Sequence, residues 1–244
     1  MELLTVSDGV DTATISAGLN AWTIEINVSN KETERQKRIL EAGARAVELE
    51  GGGYVNYWIE KVNEESDLIP TSAGYQPHRD LWRLHRPLPA PETDFITRPF
   101  KEEDALQFLT VNNRSFDWHP EQGNMTLEDL RRRQSESWYS SEGFRIWETE
   151  KEIGGFCWTK IHQEDKEKTG EIYAIAVDPS HRSSGIGIKL ALSGMTWLSN
   201  QGIREIFLYV ESDNIKAKNL YNKLGFQLQW INRCYQRTIR SSKI

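Results

Sequence analysis

Residues 171–192 read EIYAIAVDPSHRSSGIGIKLAL. An apolar run stops at Asp178 and Pro179, serines and glycines follow with one arginine, and apolar residues then recur at helical spacing. The pattern is a buried strand, a basic turn and a buried helix. Glycines in such a turn let the main chain approach a ligand closely. The unpaired N–H groups of the first helical turn, with the helix dipole behind them, attract phosphate oxygens. The turn is not a Walker A loop, which carries Lys and Ser/Thr after its last glycine, nor a G-x-G-x-x-G dinucleotide turn. Taken alone, the spacing of Arg182, Gly185 and Gly187 serves helix punctuation as well as it serves a diphosphate.

Working outward, the strand is preceded by two more, GFRIWETE and IGGFCWTKI, close enough in sequence to form a hairpin. Before these, FITRPF reads as a strand and KEEDALQFLTVNN as a helix, with Ala105, Phe108 and Leu109 at helical spacing. A second helix starts at Thr126, where TLED forms a capping box. After the quoted stretch come the strand REIFLYVES, a helix from about Asn214 to Leu224, and final strands in FQLQWINRCYQRTI. The order β-α-α-β-β-β-α-β-α-β-β specifies an α/β mixed sheet with helices on its faces.

The proline-rich RPLPAPETD separates this block from the first 90 residues or so. The expected division is residues 1–88, a linker at 89–94, and 95–244. In the first block AWTIEINV is strand-like, SNKE offers a capping box at Ser29 and Glu32, and Ile39, Ala42, Ala46 and Leu49 form an apolar stripe. GYVNYWI and RDLWRLHRPL add strands around a helical segment near Ser66. This repeats the later part of the second block, as a partial duplication would. Its own strand-to-helix turn, NVSNKETERQ, has acidic residues and no glycine, and is not expected to bind anions.

The chain has 244 residues, 38% hydrophobic and 27% charged, with net charge −6. That composition fits a folded protein with no general attraction to nucleic acid or anionic lipid, so an anionic ligand must be caught locally. MELLTVSDGV lacks the features of a signal peptide, and no apolar run is long enough to span a membrane, which leads us to expect a cytoplasmic protein. Cys157 and Cys234 lie in apolar segments without zinc-ligand spacing and are expected to be buried thiols, with no metal bound.

VDPSHRSSGIG after one buried strand and YVESDNIKAKNLYNKLGF after the next resemble the acetyl-CoA signature of the GNAT N-acetyltransferases over about residues 94–238. The resemblance implies that two parallel strands splay apart, that pantetheine lies between them, and that the pyrophosphate rests on the glycine turn. In the first block only the later strands and helices of such a unit are recognisable, which leads us to expect one complete C-terminal GNAT unit beside a truncated, non-catalytic N-terminal half unit. VNNRSFDWHPEQG, WTK, GEIYAIAVDP and LYVESDNIKAKNLYNKLGF, in that order, narrow the likeness to the mycothiol synthase family, two-unit GNAT enzymes that acetylate the cysteinyl amine of cysteine–glucosaminyl–inositol. On that likeness Glu171 corresponds to the general base and Tyr221 to the acid that protonates the CoA sulfur. Ile175, Ala176 and Val177 would face pantetheine and the thioester. Arg182, Ser183, Ser184, Gly185, Ile186, Gly187 and Ile188 would form the pyrophosphate turn, and Asn214, Ile215, Lys216, Ala217, Lys218 and Asn219 would lie along acetyl-CoA. Glu121, Lys160, Glu171 and Tyr209 match acceptor-contacting positions.

The chemistry suits an α-amine. With a pKa near 7.7 about a sixth of it is neutral at pH 7, against roughly one part in 2,500 for a lysine side chain. A carboxylate base then needs to supply only modest help, and a phenol beside the sulfur eases departure of a thiolate whose pKa is about 8.5. Direct attack in a ternary complex needs no covalent enzyme intermediate. Plainer readings stand beside these. Tyr221 lies on the stripe Ala217, Leu220, Tyr221, Leu224 and would pack as an ordinary aromatic, and Asn214 is an ordinary helix cap. Glu171 alone reads as a solvated strand residue, Lys160 as a side chain reaching out of a sheet edge, and His119 and His181 as surface or hydrogen-bonding residues. Acetylation of another small amine or a protein N-terminus, and a silent acyl-CoA-binding module, remain alternatives. A monomer is expected.

Overall fold

A computed structural model describes residues 3–18, 20–28, 32–119, 122–150, 152–163, 167–182 and 185–242. The chain separates into two compact units. One comprises residues 1–83, 211–213 and 229–244; the other comprises 84–210 and 214–228.

The first unit opens with strands β1 (Leu3–Asp8) and β2 (Asp11–Ala17), an antiparallel hairpin turning at Gly9, whose φ of 65° suits glycine. The sequence reading has no counterpart to this pair. β3 (Trp22–Asn27) runs antiparallel to β2, and helix α1 (Thr33–Glu50) carries the chain to β4 (Gly53–Ile59), parallel to β3. Helix α2 (Glu64–Ser72) begins with an Asn63/Ser66 capping box and leads into β5 (Gln76–Pro87). The strand order β1-β2-β3-β4 is extended by the last strand, β11 (Gln227–Ile239), antiparallel to β4 from Arg233↔Ile59 to Ile239↔Gly53. Where several final strands were expected there is one of 13 residues. The sheet of the first unit thus draws on residues far away in sequence.

α1 corrects two expectations. Its N-cap is Glu32, with no side-chain cap bond, and Ser29 lies outside the described residues. The buried stripe is Ile39, Leu40, Gly43, Ala44 and Val47, while Leu49 is 64% exposed. Gly43 explains the rotation. A Cβ there would come within 2.2 Å of Ile24 Cδ1, so its absence lets the helix lie close on the sheet with that face inward. Ile15, Ile24, Leu40, Val47, Val55 and Tyr235 are buried in this core.

In the second unit the strand expected at FITRPF shrinks to β6 (Arg98–Pro99), and a 3-10 turn at Glu102–Asp104 starts α3 (Ala105–Ser115). The Thr126 box forms as read: Thr126 Oγ1 accepts from Asp129 N, and Thr126 N donates to the Asp129 carboxylate, opening α4 (Leu127–Gln134). β7 (Phe144–Glu148), β8 (Ile153–His162) and β9 (Thr169–Val177) form an antiparallel meander. α5 (Ile186–Asn200) then crosses to β10 (Glu205–Glu211), parallel to β9, and α6 (Ile215–Lys223) follows, giving the order β10-β9-β8-β7-β6. This is a mixed sheet with helices on both faces. On one face Phe108 of α3 meets Phe144, Phe156 and Trp158, and Phe144 stacks on Trp158 at 4.3 Å. On the other, a Cβ at Gly194 of α5 would lie 2.4 Å from Cys157 Sγ, so glycine seats that helix directly on β8. Both cysteines are buried, as their apolar settings imply.

Candidate functional site

Two interruptions of the sheet shape the site. The first is between β9 and β10, where the parallel register holds only for Ile206↔Gly170 and Phe207↔Glu171. Beyond Glu171 β9 continues to Val177 and β10 to Glu211 without that pairing, which leaves the β10-facing main-chain groups of Ile175, Ala176 and Val177 outside the β9–β10 ladder. The second is a bulge. Trp158 opposes Ala174 and Thr159 opposes Ile172, so Tyr173 is the extra residue on β9. A bulge resets the alternation of side chains along a strand. Here it places Glu171, Ala174 and Ala176 on the face of Trp158 and Phe156, opposite Lys160, Trp158 and Phe156 in turn.

Glu171 is therefore not a solvated strand residue. It is 8% exposed, and its Oε2 lies 2.7 Å from His162 Nε2. A carboxylate so far from water requires such a partner. Lys160 stands directly across from it on β8, with its ammonium 4.9 Å from the centre of the Trp138 ring. Trp138 in turn packs on Tyr173 and Trp158. On the β10 side Phe207 is in register with Glu171, and Tyr209, two residues on, is 39% exposed with its ring 5.8 Å from that of Phe207. Glu171, Lys160 and Tyr209 thus gather around the point where the strands part. Sequence reasoning missed His162, although it continues the Phe156, Trp158, Lys160 alternation.

The turn after β9 is held from below. Asp178, 3% exposed, accepts hydrogen bonds from Ser180 N and Oγ and pairs with Arg114 at 3.2 Å. Burial raises its pKa, but the Ser180 bonds and Arg114 outweigh that, leaving the carboxyl below the usual range. Arg182 is exposed, its Nε 3.5 Å from Val177 O, and Ser183 and Ser184 lie outside the described residues. Gly185 caps α5 with φ of 99°, and the first helical bond runs from Lys189 N to Gly185 O. The N–H groups of Gly185, Ile186, Gly187 and Ile188 have no partner within the helix, which is the arrangement that attracts an anion. Gly187 has a packing reason of its own, since a Cβ would come 2.8 Å from Leu220 Cδ1 of α6. Asn214 caps α6 by accepting from Ala217 N at 3.1 Å. Ile215 and Lys216 are exposed, Ala217 and Lys218 half-buried, and Asn219 exposed.

Tyr221 is 6% exposed, its ring 5.7 Å from Phe226. Burial pushes its phenol above the ordinary value, and the Cys157 thiol, itself pushed up to about 12 by burial, adds to the rise. Cys157 points to the α5 face, opposite the face that carries Glu171. The phenol is held protonated at neutral pH, the state in which it donates. Glu121 lies outside the described residues. His181 contacts Glu152 at 2.9 Å, and His119 is half-buried, with its ring 5.4 Å from that of Trp118.

Residues 107–226 match the model of the acetyltransferase (GNAT) family. The chain is 37% identical over 199 residues to a mycothiol acetyltransferase of Thermobispora bispora, covering 77% of this chain and 67% of that protein. A mycothiol acetyltransferase of Amycolatopsis mediterranei is 44% identical over 133 residues, 52% of this chain and 44% of the relative. The chain thus spans about half to two thirds of the length of these relatives. Among solved structures, a GCN5-related N-acetyltransferase from Sphaerobacter thermophilus superposes with a TM-score of 0.71 at 18% identity, over 94% of this chain and 77% of the other. That likeness establishes the GNAT fold, and the sequence identity to the curated relatives places the chain in the mycothiol acetyltransferase family.

Proposed function

We propose that the chain is an acetyl-CoA-dependent N-acetyltransferase whose acceptor is the cysteinyl amine of cysteine–glucosaminyl–inositol. The observation that carries the reading is a buried carboxylate, Glu171, at the last paired residue before β9 and β10 part. The splayed strands offer main-chain groups to an extended thioester, and the four N–H groups opening α5 offer a seat for its diphosphate. A side chain at Gly185 would be strained, which fits a turn shaped for close approach. In this reading Glu171 takes a proton from the amine as it attacks the thioester carbonyl, and Tyr221 supplies one to the departing sulfur. Lys160 and Tyr209 orient the acceptor. The first unit acts as a non-catalytic GNAT-like half unit, and the protein works as a cytoplasmic monomer.

The test is a single assay. The purified chain is given acetyl-CoA and cysteine–glucosaminyl–inositol, other small amines or peptide N-termini, with both CoA release and product mass followed. Preferred acetylation of the cysteinyl amine supports the reading. Transfer chiefly to another amine replaces the acceptor, and acetyl-CoA binding without transfer to anything makes the chain a silent acyl-CoA module.

A further inference from the structure

We propose that His162 is the outlet for the proton that leaves an ammonium acceptor, acting through Glu171; this rests on the acyl-transfer reading above. His162 is the last residue of β8, two residues past Lys160 and on the same face, opposite Thr169 and diagonal to Glu171. Its Nε2 lies 2.7 Å from Glu171 Oε2. The ring packs at 5.1 Å on Phe207, the residue in register with Glu171 on β10, so the imidazole is held in place from a second strand. The two partners differ in access to water: the His162 side chain is 25% exposed and that of Glu171 10%. Among the described residues, Lys160 on β8 lies opposite Glu171 and, on β10, Tyr209 packs beyond the apolar Phe207.

The proton count shows why an outlet matters. An ammonium and acetyl-CoA give an N-acetyl amide, free CoA thiol and one proton; a C–N bond forms and the C–S bond breaks. Two protons leave the nitrogen, and the sulfur receives only one. The first must be gone before attack, because a protonated nitrogen has no lone pair. If it stays on Glu171, the carboxylate cannot take the second when the C–N bond forms. Passing the first from Glu171 Oε2 to His162 Nε2, and from the imidazolium to solvent, returns both groups to their basic state. His162 touches no reacting atom and acts only through Glu171.

The experiment uses the full chain with whichever amine it acetylates best, and compares H162A, H162Q and E171Q. Expected are a loss in kcat of about tenfold or more for H162A and H162Q with KM within about twofold, and a several-fold recovery of H162A by added imidazole that neither wild type nor E171Q shows. H162Q preserves a hydrogen-bonding side chain without a titratable ring, so wild-type kcat in H162Q overturns the proposal. So does a folded H162A, with wild-type thermal stability, that is slow but does not answer to imidazole. Absence of acetyl transfer by the wild type to any amine overturns the parent reading and the relay together. A wild type and E171Q that behave as expected beside an unimpaired H162Q overturn the relay alone.

Discussion

The two glycines of the α5 turn are there for different reasons, and alanine at each separates them. Gly185 has φ of 99° with open space where a Cβ would stand, so G185A meets no atom but forces an L-residue into a left-handed conformation. That costs about 1–2 kcal/mol. Gly187 has ordinary φ, and its missing Cβ would face Leu220 Cδ1 at 2.8 Å, the far end of a side chain that can turn aside. Relief of glycine's entropy in a helix, worth up to about 1 kcal/mol, offsets that contact in G187A. For a chain of this size 1 kcal/mol moves Tm by roughly 2–4 °C. G185A should therefore melt about 2–8 °C below wild type and G187A within about 2 °C of it. Differential scanning fluorimetry reads both, and titration calorimetry with acetyl-CoA reads the turn itself: G185A should also bind more weakly, because its strain is relieved by moving the N–H groups that the proposed function assigns to the diphosphate. A G185A protein with wild-type Tm and affinity, or a G187A protein less stable than G185A, refutes the assignment of strain to one position and packing to the other.

E171Q should lower kcat by about 10²- to 10⁴-fold and Y221F by a smaller factor, both with intact acetyl-CoA binding, in a steady-state assay of CoA release. Loss of binding in either would show a structural role. Burial raises the Tyr57 phenol from 10.0 to about 12 and the Cys157 thiol from 9.0 to about 12. Groups with raised folded-state values contribute stability below their unfolded values that is lost as pH rises, so Tm should fall between about pH 9 and 12, and Y57F should flatten the upper part of that decline. G43A places a Cβ 2.2 Å from Ile24 Cδ1 and should cost about 1–3 kcal/mol despite better helix propensity, measured by urea unfolding.

What could be read from the residues alone was whatever depends on neighbours in the chain. β9 and α5 announce themselves through an apolar run, a proline and a helical stripe, and the Thr126 box through a four-residue pattern. The β1–β2 hairpin did not, because its inward residues include Asp11, an acid whose burial is made tolerable by a bidentate Arg35 from α1. The bulge at Tyr173 was hidden too: in the all-apolar IYAIAV no polar residue marks which side faces out, so a shift of alternation leaves no trace. Yet that shift decides the site. Without the extra residue, Glu171 and Ile175 would share a face; with it, Ile175 opposes Cys157 beneath α5 while Glu171 opposes Lys160 on the face of α3. A motif can therefore single out Glu171 while only the register across β8 and β9 shows what that carboxylate meets, which is why His162, unremarkable in WTKIH, becomes visible once the strands are paired.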